Sequence, residues 1–287
     1  MLTDKTIGYI NGHCGSLSGK TIVVTGANSG IGYKATEELV FLGARVIMAC
    51  RSIPKAQTAR ESLLKDHPEA HIEIRHLDLA GKTSIEAFAD GLIKDNIDID
   101  AFVSNAGIFR IQGRTEDGED IVMGTNFTGT IYIVERLLPY LESLPHKVKI
   151  TFTTSISYVL GERSLTEDYS KMSALRLYAT SKLRLTRYAL NLDESLKGSN
   201  VEVILTHPGI SITPIADKAF SKTFMKIAHP LGRLLIQSPE KSALAVPYVL
   251  SNDVESGNIY GPNGFLCGWG YPERNRRKAI LTHLKPQ

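Results

Sequence analysis

The chain has 287 residues, a length that suits one large α/β domain or two small ones. Hydrophobic residues make up 43% and charged residues 22%, which supports a large core and argues against a disordered chain. The formal net charge is only +3 and the basic residues are scattered, apart from Arg274, Arg276, Arg277 and Lys278, so no nucleic-acid partner is expected.

Residues 1–19 are rich in Gly, Asn and Ser and read as a surface extension. Thr21–Thr25 is a short β-branched run, the pattern of a buried strand. It runs into Gly26-Ala-Asn-Ser-Gly30-Ile-Gly32, and a helix is expected over 31–42, closed by Gly43. A glycine-rich turn between strand and helix lets backbone approach a pyrophosphate, and the helix N-terminus adds its amides and dipole. The second strand is Arg45–Cys50. A site selective for NAD places a carboxylate about 20 residues past the glycines. Here positions 39–60 hold no Asp or Glu; Arg51 stands at the strand end and Lys55 follows, side chains suited to a 2′-phosphate.

The third strand, 72–77, alternates and ends at Asp78-Leu79. The fourth, Ala101–Ser104, ends at Asn105-Ala-Gly107, where small residues let a flat ring lie against the strand. Residues 118–143 read as one long helix with Asn126 in its middle, a poor helix residue that calls for compensation. The fifth strand, Val148–Thr153, delivers Thr154 and Ser155. A helix over 174–196 carries Tyr178-Ala-Thr-Ser-Lys182, in which Tyr178 and Lys182 stand one turn apart on one face. An ammonium that close favours phenolate and so lowers the phenol pKa toward the working range of an acid/base. The sixth strand, Val201–Thr206, ends at His207-Pro208-Gly209. Helical signal weakens over 211–237, which suits a substrate lid, then returns from Pro239 to about 250; a short seventh strand lies near 259–260.

Strands and helices alternate, so a Rossmann-type, doubly wound, mainly parallel α/β sheet is expected, seven-stranded with order 3-2-1-4-5-6-7, in a single domain over 1–287. Ligands bind at the carboxyl ends of such strands, where the glycine turn, Arg51, Asp78, Asn105–Gly107, Ser155 and Pro208-Gly209 all fall. Cys14, Cys50 and Cys267 are odd in number and far apart, which points to a reducing compartment with no disulfide framework and no metal site. No apolar stretch approaches the ~20 residues of a membrane span. A cytoplasmic protein without an integral membrane segment is expected.

Thr25-Gly-x-x-x-Gly-x-Gly32, Asn105-Ala-Gly107, Asn126, Ser155, Tyr178-x-x-Ser-Lys182 and Pro208-Gly209 together resemble the short-chain dehydrogenase/reductase family, over about residues 18–262. Ala27-Asn-Ser-Gly-Ile-Gly32, Ala49-Cys-Arg51 and His207-Pro-Gly209 are similar to its retinol-dehydrogenase-like branch. The resemblance implies an oxidoreductase acting on a small-molecule carbonyl or alcohol. Tyr178 would be its acid/base, and Lys182 would bind the nicotinamide ribose and lower the Tyr178 pKa. Ser155 would hold the substrate oxygen, with Thr154 and Ser157 as alternatives, and Asn126 would hold a relay water. The expected cofactor contacts are Gly26, Asn28, Ser29, Gly30, Ile31, Gly32, Arg51, Asp78, Leu79, Asn105, Ala106, Gly107, Tyr178, Lys182, Pro208, Gly209, Ile210 and Thr213. NADP(H) is the expected cofactor, with NAD(H) left open. Members are often dimers or tetramers, and the sequence does not decide between a monomer and a homo-oligomer. A catalytically silent cofactor-binding protein and a sugar-nucleotide epimerase or dehydratase are the rival readings. The apolar residues Ile108, Phe109 and Ile111, Ile156, Tyr158, Val159 and Leu160, and Ile210, Ile212, Ile215, Phe220, Phe224 and Met225 are available to line a pocket for a bulky apolar substrate.

Overall fold

Alternation along the central strands divides the core into two layers. Val23, Ile47, Phe102, Ile150 and Val203 point to one face of a sheet; Ile22, Val24, Val46, Met48, Val103 and Ile204 point to the other. Both sets are buried, as a parallel sheet covered on both faces requires. The computed structural model describes residues 1–164, 168–209, 237–264 and 268–274. Among them the strands are β1 (Thr21–Thr25), β2 (Arg45–Cys50), β3 (Ile72–His76), β4 (Ala101–Ser104), β5 (Val148–Thr153), β6 (Val201–Thr206), β7 (Ile259–Pro262) and β8 (Pro272–Arg274). Their order is β3-β2-β1-β4-β5-β6-β7-β8, with β1 to β7 parallel. The expected seven-strand order is found. An unexpected eighth strand, β8, pairs antiparallel with β7, placing Gly261 opposite Glu273.

The helices are α1 (Asp4–His13), α2 (Gly30–Phe41), α3 (Ile53–Asp66), α4 (Lys82–Lys94), α5 (Ile121–Met123), α6 (Gly129–Ser143), α7 (Ala174–Ser195), α8 (Pro239–Ala243) and α9 (Ala245–Ser251). Three expectations need correction. Residues 1–19 lie largely exposed but are not irregular: they form α1, and Leu2 just before it with Tyr9 and Ile10 on it are buried against Leu244. Thr3 caps it, accepting from the Thr6 amide, and its own amide donates 2.6 Å to Glu240. Gly8 and Gly12 weaken its intrinsic helicity, so packing rather than propensity holds it. The single helix expected over 118–143 is instead α5, a π-helical turn over Gly124–Thr128, and α6. The segment from Pro239 divides at Leu244 into α8 and α9. No helix among the described residues is long and apolar enough to cross a membrane.

The contact of α1 with the body of the fold can be measured. Ile10 is fully buried. Ile10→Ala should destabilise the protein by about 2–4 kcal/mol, the range for truncating a buried aliphatic side chain. Urea unfolding read by circular dichroism checks this, and a change under about 0.5 kcal/mol would mean that α1 sits on the fold without contributing to it.

Candidate active site

At the carboxyl ends of β1, β2 and β4 lies a cleft of about 320 Å³. Its floor is the turn from β1 to α2. Gly26 and Gly30 have φ of +67° and +56°, where a side chain would be strained. A Cβ on Gly32 would stand 2.4 Å from both the Gly26 carbonyl oxygen and Asn105 Nδ2, so only glycine lets the helix start this close to the strands. Ser29 precedes α2 without a side-chain cap, and the first turn carries no acidic residue. The first amides of α2 therefore face the cleft uncapped, with the positive end of the helix dipole behind them. The Thr25 hydroxyl ties β1 to the end of β4, accepting from the Asn105 amide at 3.0 Å and the Ala106 amide at 2.9 Å. Asn105 Nδ2 returns a bond of 3.0 Å to the Thr25 carbonyl.

The outer end of the cleft is basic. Arg51, Ser52 and Lys55 line it beside Asp78 and Leu79. Arg51 Nε lies 4.0 Å from Asp78, a loose pairing on a side chain that is 62% exposed. Asp78 is fixed by its surroundings: its amide donates to Ser84, and a carboxylate oxygen accepts from the Ala80 amide at 3.0 Å.

Tyr178 and Lys182 stand at the inner end, with Gly107, Ile108 and Pro208. Ser173 caps α7, which carries both across the end of β5. Lys182 is 3% exposed, and Nζ donates 2.8 Å to the Thr153 carbonyl. Burial lowers its pKa from 10.5 to about 8. For Tyr178, burial pushes the phenol up to about 12 and a hydrogen bond with Ser155 works against that rise. The expected lowering of Tyr178 by Lys182 is not found in the protein by itself. The ammonium is directed at Thr153, its nitrogen is 6.0 Å from the centre of the Tyr178 ring, and loss of hydration is the larger effect. The ring is held edge-on by buried Phe109, with centroids 5.3 Å apart.

Of the three candidate hydroxyls, Thr154 turns away. Its oxygen lies 2.5 Å from Thr186, whose own proton goes to the Lys182 carbonyl, so Thr154 must donate to Thr186. Ser155 bonds Tyr178, and Ser157 bonds Ser155 at 2.9 Å. The structure thus groups Ser155, Tyr178 and Lys182.

Asn126 sits fully buried in the π-helical turn. Its Oδ1 accepts from the Ile108 amide at 2.7 Å, and Nδ2 donates to the Ile108 carbonyl at 2.9 Å and to Ser181 at 3.2 Å. Both amide protons are taken, leaving one lone pair of Oδ1 for the expected relay water. The side chain clamps the loop after β4. A Cβ on Gly107 would stand 3.4 Å from Asn126 Oδ1 and 3.6 Å from Lys182 Nζ, ordinary contact distances, so Gly107 borders this junction without being demanded by it.

Other positions are redistributed. Tyr158 packs with Leu183 in the core rather than lining a pocket, while Val159, Leu160 and Ile111 are exposed. Ile210, Thr213, Ile212, Ile215, Phe220, Phe224, Met225 and all but the last residue of the lid expected over 211–237 lie outside the described residues. Gln237, not foreseen from sequence, is buried; it donates 2.6 Å to the Pro208 carbonyl and accepts from the Gly270 amide. His207 accepts from the Gly209 amide at 3.2 Å, and burial holds it neutral with a pKa of about 4. Thr125 and Ser52 also line the cleft. Each neighbours a residue singled out by motif, Asn126 and Arg51, and that adjacency was the available signal.

An uncapped helix above a glycine turn, a basic outer end and a Tyr–Lys pair at the inner end define a dinucleotide-binding oxidoreductase site. A family model described as short chain dehydrogenase matches residues 20–223, and the chain belongs to this family, in its retinol-dehydrogenase-like branch. It is 33% identical to human retinol dehydrogenase 13 over 245 residues, covering 82% of this chain and 72% of that one. Mouse retinol dehydrogenase 14 is also 33% identical, over 270 residues, 87% of this chain and 80% of that one. The fold is similar to a Pseudomonas aeruginosa RhlG/NADP active-site complex, with TM-score 0.67, 21% identity and coverage of 85% and 94%.

The buried ammonium has a thermodynamic signature. Its folded pKa of about 8 lies below the ordinary 10.5, so between those values the unfolded chain binds more protons. Stability of the protein without ligands should therefore rise with pH, by roughly 2 kcal/mol between pH 7 and 10 from this group. Lys182→Met should be more stable than the parent at pH 7 and lack this part of the slope. Urea titrations across that range check it; equal slopes would show the amine is better solvated than its surroundings indicate.

Proposed function

We propose that the protein transfers a hydride between NADP(H) and a bulky, largely apolar aldehyde or ketone, or the matching alcohol. The observation that carries this is the placing of Lys182 and of Tyr178, which bonds Ser155 behind it, at one end of a cleft whose other end presents Arg51 and Lys55. The glycine cradle, which a Cβ on Gly32 would fill, fits a pyrophosphate, and the uncapped turn of α2 supplies amides to it. Arg51, Lys55 and Ser52 would hold a 2′-phosphate, and the absence of any Asp or Glu over 39–60 favours that phosphate over a bare ribose hydroxyl. Asp78 and Leu79 would border the adenine, and Lys182 would hold the nicotinamide ribose. When bound, the cofactor supplies the hydride.

The chain's own residues manage the proton. With its pKa raised, Tyr178 is protonated across the neutral range, which is the donating form for carbonyl reduction. Ser155 and Tyr178 both offer hydrogen bonds to one oxygen, and negative charge developing there is stabilised most in the transition state. The Ser155 hydroxyl, which bonds Tyr178, favours the phenolate left after proton transfer. Ile108 lines the inner end and Phe109 packs behind Tyr178, apolar surroundings that support a substrate with apolar substituents.

Following oxidation of the reduced cofactor with aldehydes from butanal to dodecanal tests the reading. Retinal belongs in the panel because two relatives are named retinol dehydrogenases. Each added methylene should raise kcat/KM roughly fourfold, its ~0.8 kcal/mol of burial, until the pocket is full. Xylitol oxidation should be far slower. Tyr178→Phe should lower turnover by about 100-fold or more with cofactor affinity little changed. No turnover across the panel, a flat series, or an active Tyr178→Phe would each count against the assignment.

Cofactor choice is a separate measurement. NADPH should bind at least about tenfold more tightly than NADH, ~1.4 kcal/mol, and Arg51→Ala should erase most of that ratio. Fluorescence titration of both cofactors decides it; an unchanged ratio would move the phosphate contact away from Arg51.

A further inference from the structure

The stretch Ser155-Ile156-Ser157 places a second hydroxyl two residues beyond the serine grouped with Tyr178. Ser155 ends the approach from β5 and opens a 3₁₀ turn, Ile156–Leu160. Its hydroxyl oxygen is the cap of that turn. It accepts from the Ser157 amide at 3.3 Å and from the Ser157 hydroxyl at 2.9 Å. A serine hydroxyl has two lone pairs and one proton. Both lone pairs of Ser155 face donors on Ser157, so its proton is left to point elsewhere, and the group it meets is Tyr178.

We infer that Ser157 is a positioning residue that makes Ser155 a committed hydrogen-bond donor to the substrate oxygen. This rests on the proposed carbonyl chemistry and names a residue that would tune it. A hydroxyl that already accepts hydrogen bonds is polarised and donates more strongly, because linked bonds reinforce one another. A serine that could rotate would divide its time between donating to the substrate and accepting from Tyr178. With Ser157 occupying its oxygen, Ser155 and Tyr178 both donate to the same atom. The effect is confined to catalysis because the turn has its own supports. The Tyr158 amide donates to the Ser155 carbonyl and the Gly161 amide to the Tyr158 carbonyl, both at 3.0 Å, and Tyr158 is anchored against Leu183. Gly161 is pressed so close to α7 that a Cβ there would lie 2.8 Å from the Ala179 carbonyl oxygen. Removing one hydroxyl on Ser157 leaves all of these in place.

The test compares parent, Ser157→Ala, Ser157→Thr, Ser155→Ala and the double alanine variant, with NADPH and decanal. Ser157→Ala should lower kcat about three- to tenfold, the effect of one hydrogen bond, with KM and NADPH affinity within twofold of the parent. Ser157→Thr keeps the hydroxyl and should restore kcat. In the Ser155→Ala background, adding Ser157→Ala should change nothing further, since the group it orients is gone. Equal losses in both backgrounds, or a loss that Thr does not repair, would mean that Ser157 only supports the turn. A parent turned over normally with Ser157→Ala unaffected would overturn the inference while leaving the proposed function intact. No turnover by the parent, or an unaffected Ser155→Ala, would overturn the functional reading and this inference with it.

Discussion

A buried ammonium must find an acceptor, and here that acceptor is the last carbonyl of a central strand. Lys182 reaches Thr153 at 2.8 Å from a helix that crosses the end of β5. An unpaired buried charge is expensive, so this bond and the packing that permits it fix α7 against the sheet. Tyr178, one turn earlier on the same helix, is placed by the same constraint, and Gly161 lets the 3₁₀ turn close against Ala179 and Leu183. Strand end, turn and helix therefore act as one rigid frame. The reacting groups stand on this frame rather than on separate loops, the arrangement that holds a catalytic geometry within small tolerances.

Much of that frame was legible in the sequence. The strand runs are β-branched and end in small or polar residues, so the order and carboxyl ends of the seven parallel strands could be read, while the three-residue antiparallel β8 gave no such signal. The i,i+4 spacing of Tyr178 and Lys182 survives because α7 is a long regular helix. Asn126 was visible as a residue out of place, and the structure supplies the reason. Its amide replaces backbone partners for Ile108, and the helix opens into a π turn around it. Gly129 explains why this opening can sit so close to the strand ends: a Cβ there would lie 1.9 Å from the Leu79 carbonyl oxygen.

What was not legible depends on partners distant in sequence. Helix α1 carries Gly8 and Gly12 and little local signal, and partners distant in sequence, among them Leu244, Glu240 and Tyr271 more than 200 positions away, make it a helix worth forming. Gln237 looked like part of a weak helical region, yet it ties Pro208 to Gly270. The direction of the Tyr178 shift also escaped. Spacing shows that an ammonium is near, but not that its proton is directed at a strand carbonyl or that burial of the phenol outweighs its field.

The antiparallel β8 changes how the sheet meets other molecules. A parallel sheet has two open rims, each a row of backbone groups able to recruit a strand from a neighbour. On one rim β8, three residues long among the described residues, covers β7, with Glu273 exposed and bonded to Asn263 and Arg274 exposed and paired with Glu255 and Asn258. On the other rim β3 carries Glu73 and Arg75, paired with each other and with Arg45 and Asp95. An incoming strand would have to strip water and counter-charges from that network before its first backbone bond formed. Among the described residues, both rims are thus poor templates for intermolecular strand addition.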